Sequence, residues 1–152
     1  MIPCQLARRT GRLARRAFTL VEILIVVVIL GILAAIVVPQ FANATQESSI
    51  QTTVYELEKL RRALGVYQAR HRNDLPPVAE GFGTWADLVA DGEYLKEAPR
   101  NPYVGGDNAI YIIIAGAPDA GYQQDHGWIF DDVTGEIWAG SFDGNDEPLP
   151  RP

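Results

Sequence analysis

The sequence is poorest in the residues that carry covalent and redox chemistry. Of 152 residues one is cysteine, Cys4, in the basic head. If that head is removed the mature chain has no thiol, which excludes a disulfide, a cysteine nucleophile and a thiolate-bound zinc. Histidine occurs twice, at His71 and His126, not at metal-ligand spacing; there is no G-x-S-x-G and no glycine-rich phosphate loop. His71 suits a helix end, where a cation complements the dipole, and His126 opens an apolar strand. The chain reads as non-enzymatic. Basic residues are also scarce beyond residue 17. Five arginines (Arg8, Arg9, Arg12, Arg15, Arg16) stand in the head without an acid, so the rest sets eight basic residues against all nineteen acidic ones, a net of −11. An acidic body repels phosphate backbones, so nucleic-acid binding is not expected.

One long apolar run is present. From Phe18 to Val38 the only strongly polar residue is Glu22, with Thr19 able to bond its own helix. This length crosses about 30 Å of hydrocarbon at about 1.5 Å per residue and predicts a transmembrane helix. It is too long for the apolar region of a secretory signal peptide, and no small-x-small cut site follows it. The arginines before it place the N-terminus in the cytoplasm and the chain after Pro39 outside. The remaining length suffices for one domain.

Beyond the membrane the helix continues. Ile50, Val54, Leu57, Leu60, Leu64 and Tyr67 recur at steps of three and four, with Glu56, Glu58, Lys59, Arg61 and Arg62 between them. The spacing predicts one helix over 18–72, softened near Gly31 and Pro39 and stopped by Asn73-Asp74-Leu75-Pro76-Pro77; its length would be roughly 80 Å. Thr84-Trp85-Ala86-Asp87 fits a capping box for a short helix to about Ala90. Strands are expected over 109–115, 127–131 and 136–139, the last two joined by a hairpin loop at 132–135, with Trp128, Phe130 and Ile137 in the core. The expected fold is α+β, a long N-terminal helix packed on a small antiparallel sheet. Four segments follow: a leader, 1–17; the transmembrane helix, 18–38; the exposed half of the helix, 39–72; and the loops, short helix and sheet, 73–152.

An ionised carboxylate in hydrocarbon needs a partner. Cleavage before Phe18 would create an amine that Glu22 of the same or a neighbouring subunit could neutralise, favouring assembly and setting axial register. The alternative is that Glu22 complements the helix dipole while reaching the interface.

Arg16-Ala17-Phe18-Thr19-Leu20-Val21-Glu22 and the apolar helix after it resemble the prepilin signal of type IV pilins and type II secretion pseudopilins. The resemblance implies a pilin-like fold, cleavage between Ala17 and Phe18 by a prepilin peptidase, N-methylation of Phe18, and assembly through Glu22 and Thr19 with Gly31 and Pro39 softening the helix. The family usually has Gly where Ala17 stands. Asn101-Pro102-Tyr103 is similar to a stretch of the major pseudopilin. The expected partners are the peptidase, further copies in a helical filament, other pilin-like subunits and an inner-membrane assembly platform; the expected location is the bacterial inner membrane, with the C-terminal domain periplasmic. A secretion pseudopilin is favoured, with a major or minor surface pilin or a tethered periplasmic binding module that does not assemble as alternatives. No cofactor is required. Asp143, Asn145 and Glu147 have the alternating spacing of oxygen ligands for Ca²⁺, and the resembling family binds calcium in the corresponding loop.

Overall fold

The structure, a computed structural model, describes residues 18–152. The leader, with Cys4, its arginines and the Ala17 side of the expected cleavage site, lies outside the described residues. The chain divides into two compact units that meet between Gln40 and Phe41.

α1 runs from Leu20 to Arg70, continuous through Gly31 and Pro39. In the first unit it is a helix apolar on every face, with Phe18 and the large side chains through Val38 all exposed. In the second unit a single stripe is covered. Leu57, Leu60, Leu64 and Tyr67 are buried, and Ile50 and Val54 pack at the margin of the same core. The three-four spacing therefore marks the buried face as expected. The helix stops at Arg70, because Arg72 and Asn73 take positive φ (56° and 72°) and the Asn73 N–H turns back to the Gln68 carbonyl at 2.8 Å.

Four short strands form the sheet: β1 (Gly81–Phe82), β2 (Tyr111–Ile114), β3 (Trp128–Phe130) and β4 (Ile137–Ala139), ordered β1-β2-β3-β4. The α+β class holds, but the sheet is mixed. β1, two residues long, carries too little pattern to be read from sequence. β2 and β3 are parallel, with Ile112 opposite Trp128 and Ile114 opposite Phe130, while the flanking pairs are antiparallel. The expected all-antiparallel sheet is thus corrected. The 115–127 connection is long enough to cross over and return β3 in the same direction as β2, which a tight hairpin cannot do.

Between β1 and β2, α2 spans Asp87–Ala90. The expected Thr84 capping box is absent. Ala86, at φ 47°, precedes the helix with no side-chain cap, and the Thr84 hydroxyl instead donates to the Ala79 carbonyl. Trp85 and Leu88 are nonetheless fully buried, and the Trp85 ring meets Trp128 and Phe130 edge-on at 6.5 and 6.3 Å. Trp128, Phe130 and Ile137 lie in the core as expected; Ile129 and Trp138, on the opposite face of the strands, are buried too. Burial on both faces explains why these strands lack polar alternation.

Candidate functional site

At the start of α1 the two polar residues of the apolar run are joined. Thr19 N–H and its hydroxyl both donate to Glu22 Oε2, at 2.8 and 2.9 Å, and Glu22 N–H donates to Thr19 Oγ1 at 3.2 Å. This is a capping box, T-x-x-E, in which two donors that the helix start leaves orphaned are satisfied reciprocally. The signal is present in Thr19-Leu20-Val21-Glu22, but weighing the carboxylate only as a dipole partner or an intersubunit charge passes over it. Among the described residues no hydrogen bond engages Oε1, so the carboxylate keeps one oxygen for a further donor. Around it Phe18, Leu20, Val21, Ile23 and Leu24 are all more than half exposed. At Gly31 an added Cβ would meet nothing within 4 Å, so packing within one chain does not explain that glycine.

The Asn101-Pro102-Tyr103 stretch is a second polar centre, inside the folded unit. Asn101 is fully buried, and its amide donates to the carbonyls of Gly127 and Gly140, both at 2.9 Å. Its Oδ1 accepts from Tyr103 N–H at 3.0 Å, Val104 N–H at 3.1 Å and Thr53 Oγ1 at 3.0 Å. One side chain thereby ties α1, the proline-rich loop and the ends of the loops flanking β3 and β4. Gly140 is required by the close approach, since a Cβ there would collide with the His126 carbonyl. In the sequence Asn101 stands out only through a resemblance. No local pattern discloses a node whose five partners come from four segments.

The C-terminal loop brings Asp143 and Asn145 together, Asn145 N–H reaching Asp143 Oδ1 at 2.8 Å; Glu147 joins through its backbone, its N–H reaching the same oxygen at 2.9 Å. These N–H groups, Glu147 first, hold the Asp143 carboxyl below the usual aspartate range. Asp146 faces Arg61 of α1, whose guanidinium binds both carboxylate oxygens at 2.5 and 2.9 Å and the Ile137 carbonyl at 2.8 Å. Among the described residues no three His, Cys, Asp or Glu side chains gather as metal ligands. In this arrangement Asp143 Oδ1 is taken by two backbone N–H groups and the Asp146 carboxylate by the Arg61 guanidinium.

Buried His126 pairs with half-buried Asp119, with Nε2 and Oδ1 3.2 Å apart. Burial pushes the Asp119 carboxyl up, but its contacts with His126, the Ser141 N–H and the Gln123 amide more than cancel this and hold it below the ordinary value. Ser141 Oγ donates to the Gln123 carbonyl at 2.5 Å rather than to His126. The three side chains do not form a nucleophile-base relay. His71 stacks on Tyr67 with ring centres 4.0 Å apart and fills the helix end.

A long helix bearing a capped acid in an exposed apolar segment, set ahead of a small α+β domain, defines a pilin-like subunit. The family model for the prokaryotic N-terminal methylation motif matches residues 12–38. The chain is 31% identical over 105 residues to the type II secretion system core protein G of Klebsiella michiganensis, spanning 63% of this chain and 72% of that protein. It is 27% identical over 127 residues to the protein of the same name in Escherichia coli K12, spanning 69% and 83%. Over 50 residues it is 44% identical to a fimbrial protein of Pseudomonas aeruginosa, about a third of either chain. For relatives named core protein G the matched share of their length runs from 62% to 83%. No solved structure matches the chain. The chain belongs to the type II secretion system core protein G family, the major pseudopilins.

Proposed function

We propose that this protein is a structural subunit of a pilus-like filament that helps drive protein export through type II secretion. It is made as a single-pass precursor with its N-terminus in the cytoplasm and its folded unit in the periplasm. A prepilin peptidase cuts between Ala17 and Phe18, and the new Phe18 amine is methylated. The free oxygen of the Thr19-held Glu22 carboxylate then receives the Phe18 amine of a neighbouring subunit, so that the apolar helices bundle with one axial register. Gly31 and Pro39 let α1 adapt as the subunit leaves the bilayer for the filament, and an assembly platform and other pilin-like subunits are its partners. The role is mechanical, not catalytic.

The observation that carries this reading is Glu22, capped by Thr19 in an otherwise apolar, exposed helix. The match to a fimbrial protein supports a surface pilin as the second reading; it covers 50 residues, whereas the core protein G relatives align over far more of the chain. Mass spectrometry of the mature protein tests the proposal: an N-methylated Phe18 is expected, and an intact arginine-rich leader on membrane-resident protein overturns it.

A further inference from the structure

Two exposed features of the folded unit have complementary chemistry, and neither is covered by another part of the described chain. One is a groove of about 330 Å³ along the outward side of α1. Tyr55 and Val66, 59% and 47% exposed, give it an apolar floor, and Lys59, Arg62, Arg70 and Tyr94 line it. Among the described residues its cations form ion pairs with Glu56, Glu58 and Glu93, and Arg70 also lies over the Tyr94 ring, 5.6 Å from its centre. These pairs lie at the surface, where they contribute little and exchange readily.

The other feature is the turn between β3 and β4. Val133 at its tip is 84% exposed, more than any other large hydrophobic side chain described. It stands between Asp132 and Glu136, both exposed and neither in an ion pair among the described residues. The turn is rigid: Asp131 accepts from Val133 N–H at 2.8 Å, Thr134 N–H at 3.1 Å and the Thr134 hydroxyl at 2.7 Å. Gly135 closes it at φ 79°, where a Cβ would come within 2.6 Å of Leu75. An apolar tip held out this firmly loses little freedom when it docks.

The groove and the turn sit on different faces of α1. The turn and the start of β4 lie beside Arg61, Leu64 and Gln68, whereas the groove follows positions 55, 59, 62, 66 and 70. At 3.6 residues per turn these sets are well separated around the helix. One chain cannot close the contact on itself. Charge is divided in the same sense: residues 41–70 carry four basic and three acidic side chains, residues 71–152 four basic and fifteen acidic.

We infer that the β3–β4 turn of one copy docks into the α1 groove of the next, Val133 against Tyr55 and Val66, with Asp132 and Glu136 among Lys59, Arg62 and Arg70. Such a contact is head-to-tail, and a head-to-tail contact that does not close extends into a helical array. The inference deepens the filament reading and rests on it for the setting in which copies meet.

The test is disulfide crosslinking of the full chain in its native membrane. A Cys4→Ser background carries Val66→Cys together with Val133→Cys, while a control co-expresses chains bearing Leu20→Cys and Ile23→Cys to report helix bundling independently. Oxidation is expected to give a ladder beyond dimer with the first pair and none with either substitution alone. Arg62→Glu, on an exposed position, should cut the ladder about tenfold or more, the effect of a contact worth about 1.4 kcal/mol or more, and Asp132→Arg in the same chain should restore it. Control crosslinks without a 66–133 ladder overturn the docking and leave the filament reading standing; a 66–133 ladder without control crosslinks keeps the docking and removes the bundling of the apolar helices through Glu22. Absence of both overturns both, and a ladder indifferent to Arg62→Glu overturns the charge pairing.

Discussion

One helix passes through two environments in this protein, and its two parts obey opposite rules. From Phe18 to Val38 the large hydrophobic side chains of the first unit are 42% to 82% exposed, whereas Leu57, Leu60, Leu64 and Tyr67 in the second are at most 5% exposed. The second unit completes itself: a sheet, a short helix and proline-rich loops cover one stripe. Among the described residues the first has nothing of its own to cover it, so its apolar surface is left open. Its one acid is likewise only half satisfied from within. Local structure is encoded in both parts, but only one encodes its own tertiary partner.

The severest test of this contrast is to remove the acid. Glu22→Ala should leave membrane insertion and the folded unit intact yet abolish filament recovery in sheared fractions; normal filaments from that variant would show that the first unit needs no polar partner. Next, Leu60→Ala should cost about 2–5 kcal/mol of unfolding stability through lost burial and a cavity, while Ile32→Ala, the same kind of truncation on the uncovered part, should leave the melting of the folded unit of the detergent-solubilised protein unchanged. Equal shifts for the two would erase the distinction.

Asn101→Ala should cost about 3 kcal/mol, because several buried partners would lose their hydrogen bond together. Chemical denaturation measures it, and a loss below about 1 kcal/mol would mean that water replaces the side chain.

Acid probes the self-completed unit further. Asp131, bonded by the Thr134 hydroxyl and two N–H groups, joins Asp119 and Asp143 in being held below the ordinary aspartate value. A carboxyl lowered by folding contributes stability above its unfolded pKa, about 3.9, and that contribution disappears as pH falls through the lower folded value. The melting temperature of the folded unit should therefore fall as pH drops below about 4, and Asp119→Asn should flatten the fall. A pH-independent midpoint in that range would contradict it.

The smallest effect concerns the C-terminal loop. Arg61→Gln should cost about 1 kcal/mol, since the Asp146 pair is partly exposed, and millimolar calcium should leave the melting temperature unchanged. A clear rise with calcium would mean that the loop rearranges to bind metal.

Much of this is legible in the sequence for a physical reason. The apolar length, the three-four stripe from Ile50 to Tyr67 and the Asp132 to Gly135 turn are local patterns, and local patterns survive into structure when one element carries the whole signal. The Thr19–Glu22 box is equally local, and attention to the charge rather than to the spacing is what hides it. The Thr84 box fails in the opposite way: a fitting local pattern is overridden by Ala86 at positive φ and the Ala79 carbonyl.

From the order of the residues alone follow a membrane-length helix with one acid near its start, the amphipathic continuation, the chain reversals and most of the buried positions, because hydrophobic periodicity and turn chemistry act within a few residues. The assembled fold was needed for the parallel β2–β3 pairing, the gathering of four segments on Asn101, the Arg61 clamp on Asp146 and the placing of groove and turn on different faces of α1. Each depends on where separated segments meet, and that is set by the packing of the whole unit rather than by any stretch of it.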